Sequence, residues 1–145
     1  MSITAEDVQI FLNDYPEANR LLGTKLFDNK RIQRGIQFVV DEWNEIPPIL
    51  STKYTASNFP YKSTLLYGVC AWLFLGESTS QERNHLAYQS GGIAIDDSNK
   101  SNPYLSFYNI FKAEFTRLAE SQKISENIKS GFRNIGSDYR YLKGI

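Results

Sequence analysis

The sequence predicts a mainly α fold: a four-helix bundle-like domain, a short extended or hairpin excursion before the last long helix, and an extended C-terminal tail. Three observations predict it. Apolar residues recur at helical spacing in several segments, and firm breakers at Pro16, Pro47-Pro48 and Gly91-Gly92 separate those segments. The stretch YQSGGIAIDD, residues 88–97, interrupts flanks that both read as helical. With 145 residues, 41% of them hydrophobic and 14% aromatic, the chain suits one domain with a real core. The expected division is a helical domain over 1–130 and a tail over 131–145.

The first helix opens at Thr4, with Asp7 three positions on as a capping-box partner. Val8, Phe11, Leu12 and Tyr15 then share a face, and Pro16 stops the run. The segment EANRLLGTKLF reads as a turn or ragged helical piece ending near Gly23. Asp28 caps a second helix, in which Ile32, Ile36, Val39, Val40, Trp43 and Ile46 form a buried stripe. Arg31, Arg34, Asp41 and Glu42 face outward on that helix, and Pro47-Pro48 ends it.

After the polar STKYTASNFP, the third helix starts near Tyr61 and is apolar on nearly all sides through Leu75, so neighbours must cover it all round. It is expected to run past Gly76 and to stop by Gly91-Gly92. Asn102 and Pro103 then start the last helix. Tyr104, Phe107, Tyr108, Phe111, Phe115 and Leu118 give it an aromatic stripe, and an end near Lys129 makes it roughly 40 Å long. Beyond Gly131 and Gly136 the apolar residues Phe132, Ile135, Tyr139, Tyr141 and Leu142 read as non-helical.

Sixteen basic residues balance sixteen acidic ones, which argues against a dedicated nucleic-acid binder. The distribution is uneven. Residues 1–19 carry Glu6, Asp7, Asp14 and Glu17 without Lys or Arg, whereas the end carries Lys123, Lys129, Arg133, Arg140 and Lys143 against Glu126 and Asp138. An acidic head and a basic tail suit head-to-tail contact between copies, a polar partner at the tail, or two solvated ends. Cys70 is the single cysteine, so no intrachain disulfide forms. MSITAEDVQIF lacks the pattern of a signal peptide. TLLYGVCAWLFLG, at 13 residues, is short of the ~20 that span a bilayer. The expectation is a soluble protein of a reducing cytoplasm.

Motifs for chemistry are weak. SGGIAIDD lacks the lysine of a phosphate-binding loop and places aspartates where they repel phosphate. Asp97, Asn99 and Ser101 imitate the opening of a calcium loop, but Asn102 and Tyr108 stand where its glycine and glutamate belong. His85 is the only histidine and Cys70 reads as core, which leaves little material for a nucleophilic triad or a zinc site. Asp41 and Glu45, at i,i+4 spacing, would serve as a carboxylate pair only if a pocket held them. The aromatic stripe reads as core before it reads as a platform for single-stranded nucleic acid. The expectation is no enzyme, no cofactor and no metal.

The succession VQIFLNDYPEANRLL, FDNKRIQRGIQFVVDEWNEIPP, LLYGVCAWLFL and ERNHLAYQSGGIAIDDSNK resembles the head–tail connector (neck or adaptor) proteins of tailed bacteriophages, over about residues 5–118. The resemblance implies a virion structural protein that forms a ring of about twelve copies under the portal. It implies contacts with itself, with the portal protein and with the next neck or tail protein. DNA would pass through the channel without specific binding, and no membrane is involved. The resemblance makes Ser90, Gly91, Gly92, Ile93, Ile95, Asp96 and Asp97 the subunit-interface or channel loop. It makes Phe132, Arg133, Ile135, Tyr139, Arg140, Tyr141 and Leu142 the tail that meets the portal. The place implied is the head–tail junction of a virion, after synthesis in the bacterial host cytoplasm. Alternatives are another neck or tail-completion protein and a small helical DNA-binding regulator.

Overall fold

The computed structural model describes residues 2–84, 87–90, 92–96 and 101–142, with side-chain surroundings left out for the paired strand residues and for 133–142. Four helices and one hairpin follow in order: α1 (Ala5–Leu12), α2 (Asn29–Glu45), α3 (Lys62–Arg83), β1 (Ala87–Ser90), β2 (Ile93–Asp96) and α4 (Ser101–Leu142). The predicted mainly α, four-helix domain is what the chain adopts.

Local chemistry sets the starts of α1 and α2. The Thr4 backbone N–H and hydroxyl both donate to the Asp7 carboxylate, at 2.7 and 2.8 Å, and Asp7 N–H donates back to the hydroxyl. This closes a capping box on α1. Those bonds hold the Asp7 carboxyl below its ordinary range, the backbone donor contributing most. Asn13, left-handed at φ 53°, ends α1 three residues before Pro16. Asp28 accepts from Arg31 N–H at the start of α2. The connection between these helices is braced by the buried Asp14. Its carboxylate accepts from the backbone N–H groups of Leu26 and Phe27 at 2.7 and 2.9 Å, and from Asn19 at 2.6 Å.

α3 sits at the centre, as its all-round apolar surface requires. It packs against α2 on one side and runs antiparallel to α4 on the other. The α2 stripe is buried as predicted through Ile32, Ile36, Val39, Val40 and Trp43, with Ile46 half-buried at the cap. Leu65, Val69, Cys70 and Leu73 meet it from α3, and Phe115 and Ala119 from α4. Close approach depends on glycine. A Cβ on Gly68 would stand 2.4 Å from Val39 and 2.8 Å from Phe115, and one on Gly35 would stand 2.9 Å from Trp72.

Polar contacts lock the bottom of the bundle. Lys123 of α4 is buried and has no carboxylate beside it among the described residues. Its ammonium donates to the Asn44 carbonyl at 3.0 Å and lies 4.3 Å from the Trp43 ring centroid. That carbonyl is at the negative end of the α2 dipole, so a cation is favoured there. The Asn44 amide itself pairs with both backbone groups of Tyr54, pinning the connection after the cis Pro47-Pro48 bond. Trp43 also packs edge-on to Tyr54 and Phe59.

Two expectations change. α3 runs past Gly76 to Arg83 but not to Gly91, because residues 87–90 pair as a strand instead. The predicted extended tail over 131–145 is helical through Leu142, and no element boundary falls at 131. The reason is legible afterwards: Phe132, Ile135, Tyr139 and Leu142 are spaced three, four and three, which is a helical period. Gly131 and Gly136 each cost about 1 kcal/mol against alanine, too little to stop a helix already nucleated. Residues 143–145 lie outside the described residues.

Two outcomes check this packing. Gly68→Ala should lower stability by about 1–3 kcal/mol despite alanine's better helix propensity, read from the denaturant midpoint. Burial lowers the Lys123 pKa below its ordinary 10.5, so between the two values the unfolded chain holds more protons than the folded one. Stability relative to Lys123→Met should therefore rise as pH climbs toward 10.5 and then level off. Burial and the 2.5 Å bond from its hydroxyl to Glu126 raise the Tyr61 pKa, but both chains share that contribution and it cancels in the difference.

Candidate functional site

A groove of about 360 Å³ opens where α2, α3 and α4 meet on one side. Phe38, Asp41, Glu42 and Glu45 come from α2, Gly68, Ala71, Trp72 and Leu75 from α3, and Tyr108 and Lys112 from α4. The floor is apolar and the α2 rim is acidic. Lys112 forms an ion pair with Glu42 and lies 5.0 Å from the Phe115 ring centroid. Asp41 and Glu45 are exposed and have no ion-pair partner among the described residues. The structure thus brings the two carboxylates singled out in the sequence to one groove. It does not bury either, as acid–base pairs with separated protonation states require.

Sequence reasoning missed Phe38, Trp72, Tyr108 and Lys112 as a group. Phe38 did leave a signal. It occupies the same face of α2 as Arg31, Arg34, Asp41, Glu42 and Glu45, and it remains 54% exposed among those charges. Trp72 left none, because an apolar helix gives every large residue the same apparent role.

The excursion is a true hairpin. Ser90 pairs with Ile93, Gln89 with Ala94, Tyr88 with Ile95 and Ala87 with Asp96, all antiparallel. The register leaves a two-residue turn, and Gly92 takes φ +82°, which glycine adopts without strain. Of the predicted loop residues, Ser90, Gly92, Ile93, Ile95 and Asp96 lie on this hairpin; Gly91 and Asp97 lie outside the described residues, as do His85 and Asn99. Two strands alone are marginal in water.

The predicted tail residues stand at the opposite end, on α4. Phe132 is 68% exposed, and Ile128 and Ile124, one and two turns earlier, are exposed as well. Arg133, Ile135, Tyr139, Arg140, Tyr141 and Leu142 continue the same helix. The two sets of predicted site residues are therefore not brought together; antiparallel α3 and α4 separate them.

The other chemical candidates are absorbed into the fold. Ser101 donates to Glu82 at 2.8 Å, and its carbonyl accepts from Ser78. The aromatic stripe of α4 stacks on Phe74, with Phe107 and Phe111 at 5.3 and 5.7 Å between centroids, and ends in the buried Phe115. Among the described residues no three His, Cys, Asp or Glu converge as for a metal, and no helix is long and apolar enough to cross a membrane. Comparisons with protein-family models, curated proteins and solved structures found no match.

Cys70 is fully buried, and burial pushes its thiol up to about 12. A thiol reagent at neutral pH should label the native chain only as fast as the bundle opens. Labelling in denaturant should be complete at once; fast labelling of the native chain would show that α3 is not packed as described.

Proposed function

We propose that the chain is a virion structural protein, a head–tail connector subunit that forms a ring below the portal and joins the DNA-filled capsid to the neck or tail. One observation carries most of this reading. Among the residues whose side chains are described, packing against the rest of the body is seen as far as Ser130, while α4 continues. The α3 start lies level with Glu126, where Tyr61 bonds it, and the groove along the 49–54 connection is lined only as far as Ser130. α4 then runs on to Leu142, about 18 Å further by the 1.5 Å rise. A hairpin at one end and a surplus helix with exposed apolar residues at the other are features of a part that finishes its packing in an assembly. The resemblance of residues 5–118 to connector proteins supplies the kind of assembly.

In this reading the mechanism is geometric. The bundle is the wall, and contacts between copies close the ring. The hairpin faces a neighbour or the channel, and the end of α4 reaches a neighbour or the portal. Near-neutral charge suits a lumen through which DNA slides, because a basic lining would hold phosphates through released counterions.

Sizing the protein alone, and mixed with the portal protein of the same genome, tests the proposal. A ring, or a stable complex with portal, is expected. A chain that stays monomeric and unbound under both conditions refutes it. Removing residues 131–145 should leave the bundle's thermal transition in place, since the core residues among the described ones run only to Ala119, while weakening assembly. DNA retention that falls steeply with salt would instead favour the helical regulator.

A further inference from the structure

We infer that the groove between α2, α3 and α4 is the receptor for the C-terminal end of α4 from a second copy of this chain. The inference rests on the reading that copies assemble, and it names the contact they use.

The two surfaces complement each other. The groove has an aromatic and aliphatic floor, with Phe38 and Leu75 exposed and Trp72 and Tyr108 half-buried, under an acidic edge where Asp41 and Glu45 have no ion-pair partner among the described residues. The end of α4 carries the opposite charge, with Arg133 and Arg140 against Asp138, and Lys129 one turn earlier paired with Glu126. It also carries the exposed Phe132, in an apolar series spaced three, four and three that continues to Leu142. At about 360 Å³ the groove admits a few side chains from one face of a helix, not the helix itself. Aromatic anchors in a pocket with a charged rim are how such faces dock.

The geometry makes the contact intermolecular. Lys112 lies in the groove and Phe132 is twenty residues along the same unbroken helix, about 30 Å away. A continuous helix cannot turn its end back into its own groove. Groove and helix end are different patches, so the contact is heterologous and propagates head to tail until rotation closes it.

Charge reversal tests the pairing on the full chain. Asp41→Lys with Glu45→Lys, and separately Arg133→Glu with Arg140→Glu, should each weaken self-association at least about tenfold while the thermal transition stays in place. Mixing the two reversed chains should restore assembly, because each groove then meets a complementary helix end. Unchanged association of either variant, or loss in both without recovery on mixing, overturns the inference and leaves the ring reading standing. Should the wild-type chain stay monomeric, a peptide of residues 124–145 titrated against it reads the same contact through Trp72 fluorescence. A saturable, salt-sensitive change supports the inference even where the ring reading fails; no change overturns it.

Discussion

A helix that is apolar on every side has to be covered on every side, and α3 imposes that constraint on the rest of the chain. α2 and α4 approach it closely because Gly68 leaves no Cβ between Val39 and Phe115. α1 adds a smaller lid through Val8 and the edge-on contact of Phe11 with Tyr67. α2 turns its apolar stripe inward, while Phe38 on α2 and Ile110 on α4 remain exposed on the outer faces. Covering α3 uses α4 only to about Glu126, and the next turn of α4 lines the groove along the 49–54 connection.

Where the covered part stops is fixed by polar contacts as well as by the close fit of Val39 and Phe115 over Gly68. Lys123 reaches the end of α2 at the Asn44 carbonyl and the Trp43 face. The Trp43 indole donates to Gln122, which donates in turn to Thr64, joining three helices at one level. A buried ammonium without a carboxylate costs stability, which the carbonyl and ring offset in part. Hydrogen-bond geometry repays that cost in register: one turn of slippage would strand the charge in the core. Register then places Ile128 and Phe132 beyond the start of α3, while Ile124 is exposed on the outer side of α4 beside the buried Lys123.

Much of this was legible. Thr4 with Asp7 and Asp28 marked helix starts because caps act through neighbouring residues. The α2 stripe was readable because one polar and one apolar face make a period. α3 revealed its centrality but not its neighbours, since a uniform surface carries no direction. The C-terminal segment was misread because glycine was given more weight than spacing; Phe132, Ile135, Tyr139 and Leu142 held the helical period throughout. The groove was half legible. Asp41 and Glu45 stood out by type and spacing, whereas Trp72 and Lys112 join them only through tertiary packing.

In the proposed assembly, the hairpin and the end of α4 would bear differently on contacts between copies. Antiparallel packing puts them at opposite ends of the α3–α4 pair, so one copy cannot satisfy both with a single neighbour on a two-fold axis unless the copies run side by side in opposite senses. A contact from helix end to mid-bundle groove gives every copy the same sense, with the hairpins along one rim and the α4 ends engaged toward the other. Such an arrangement leaves a whole rim of hairpins for a second kind of partner.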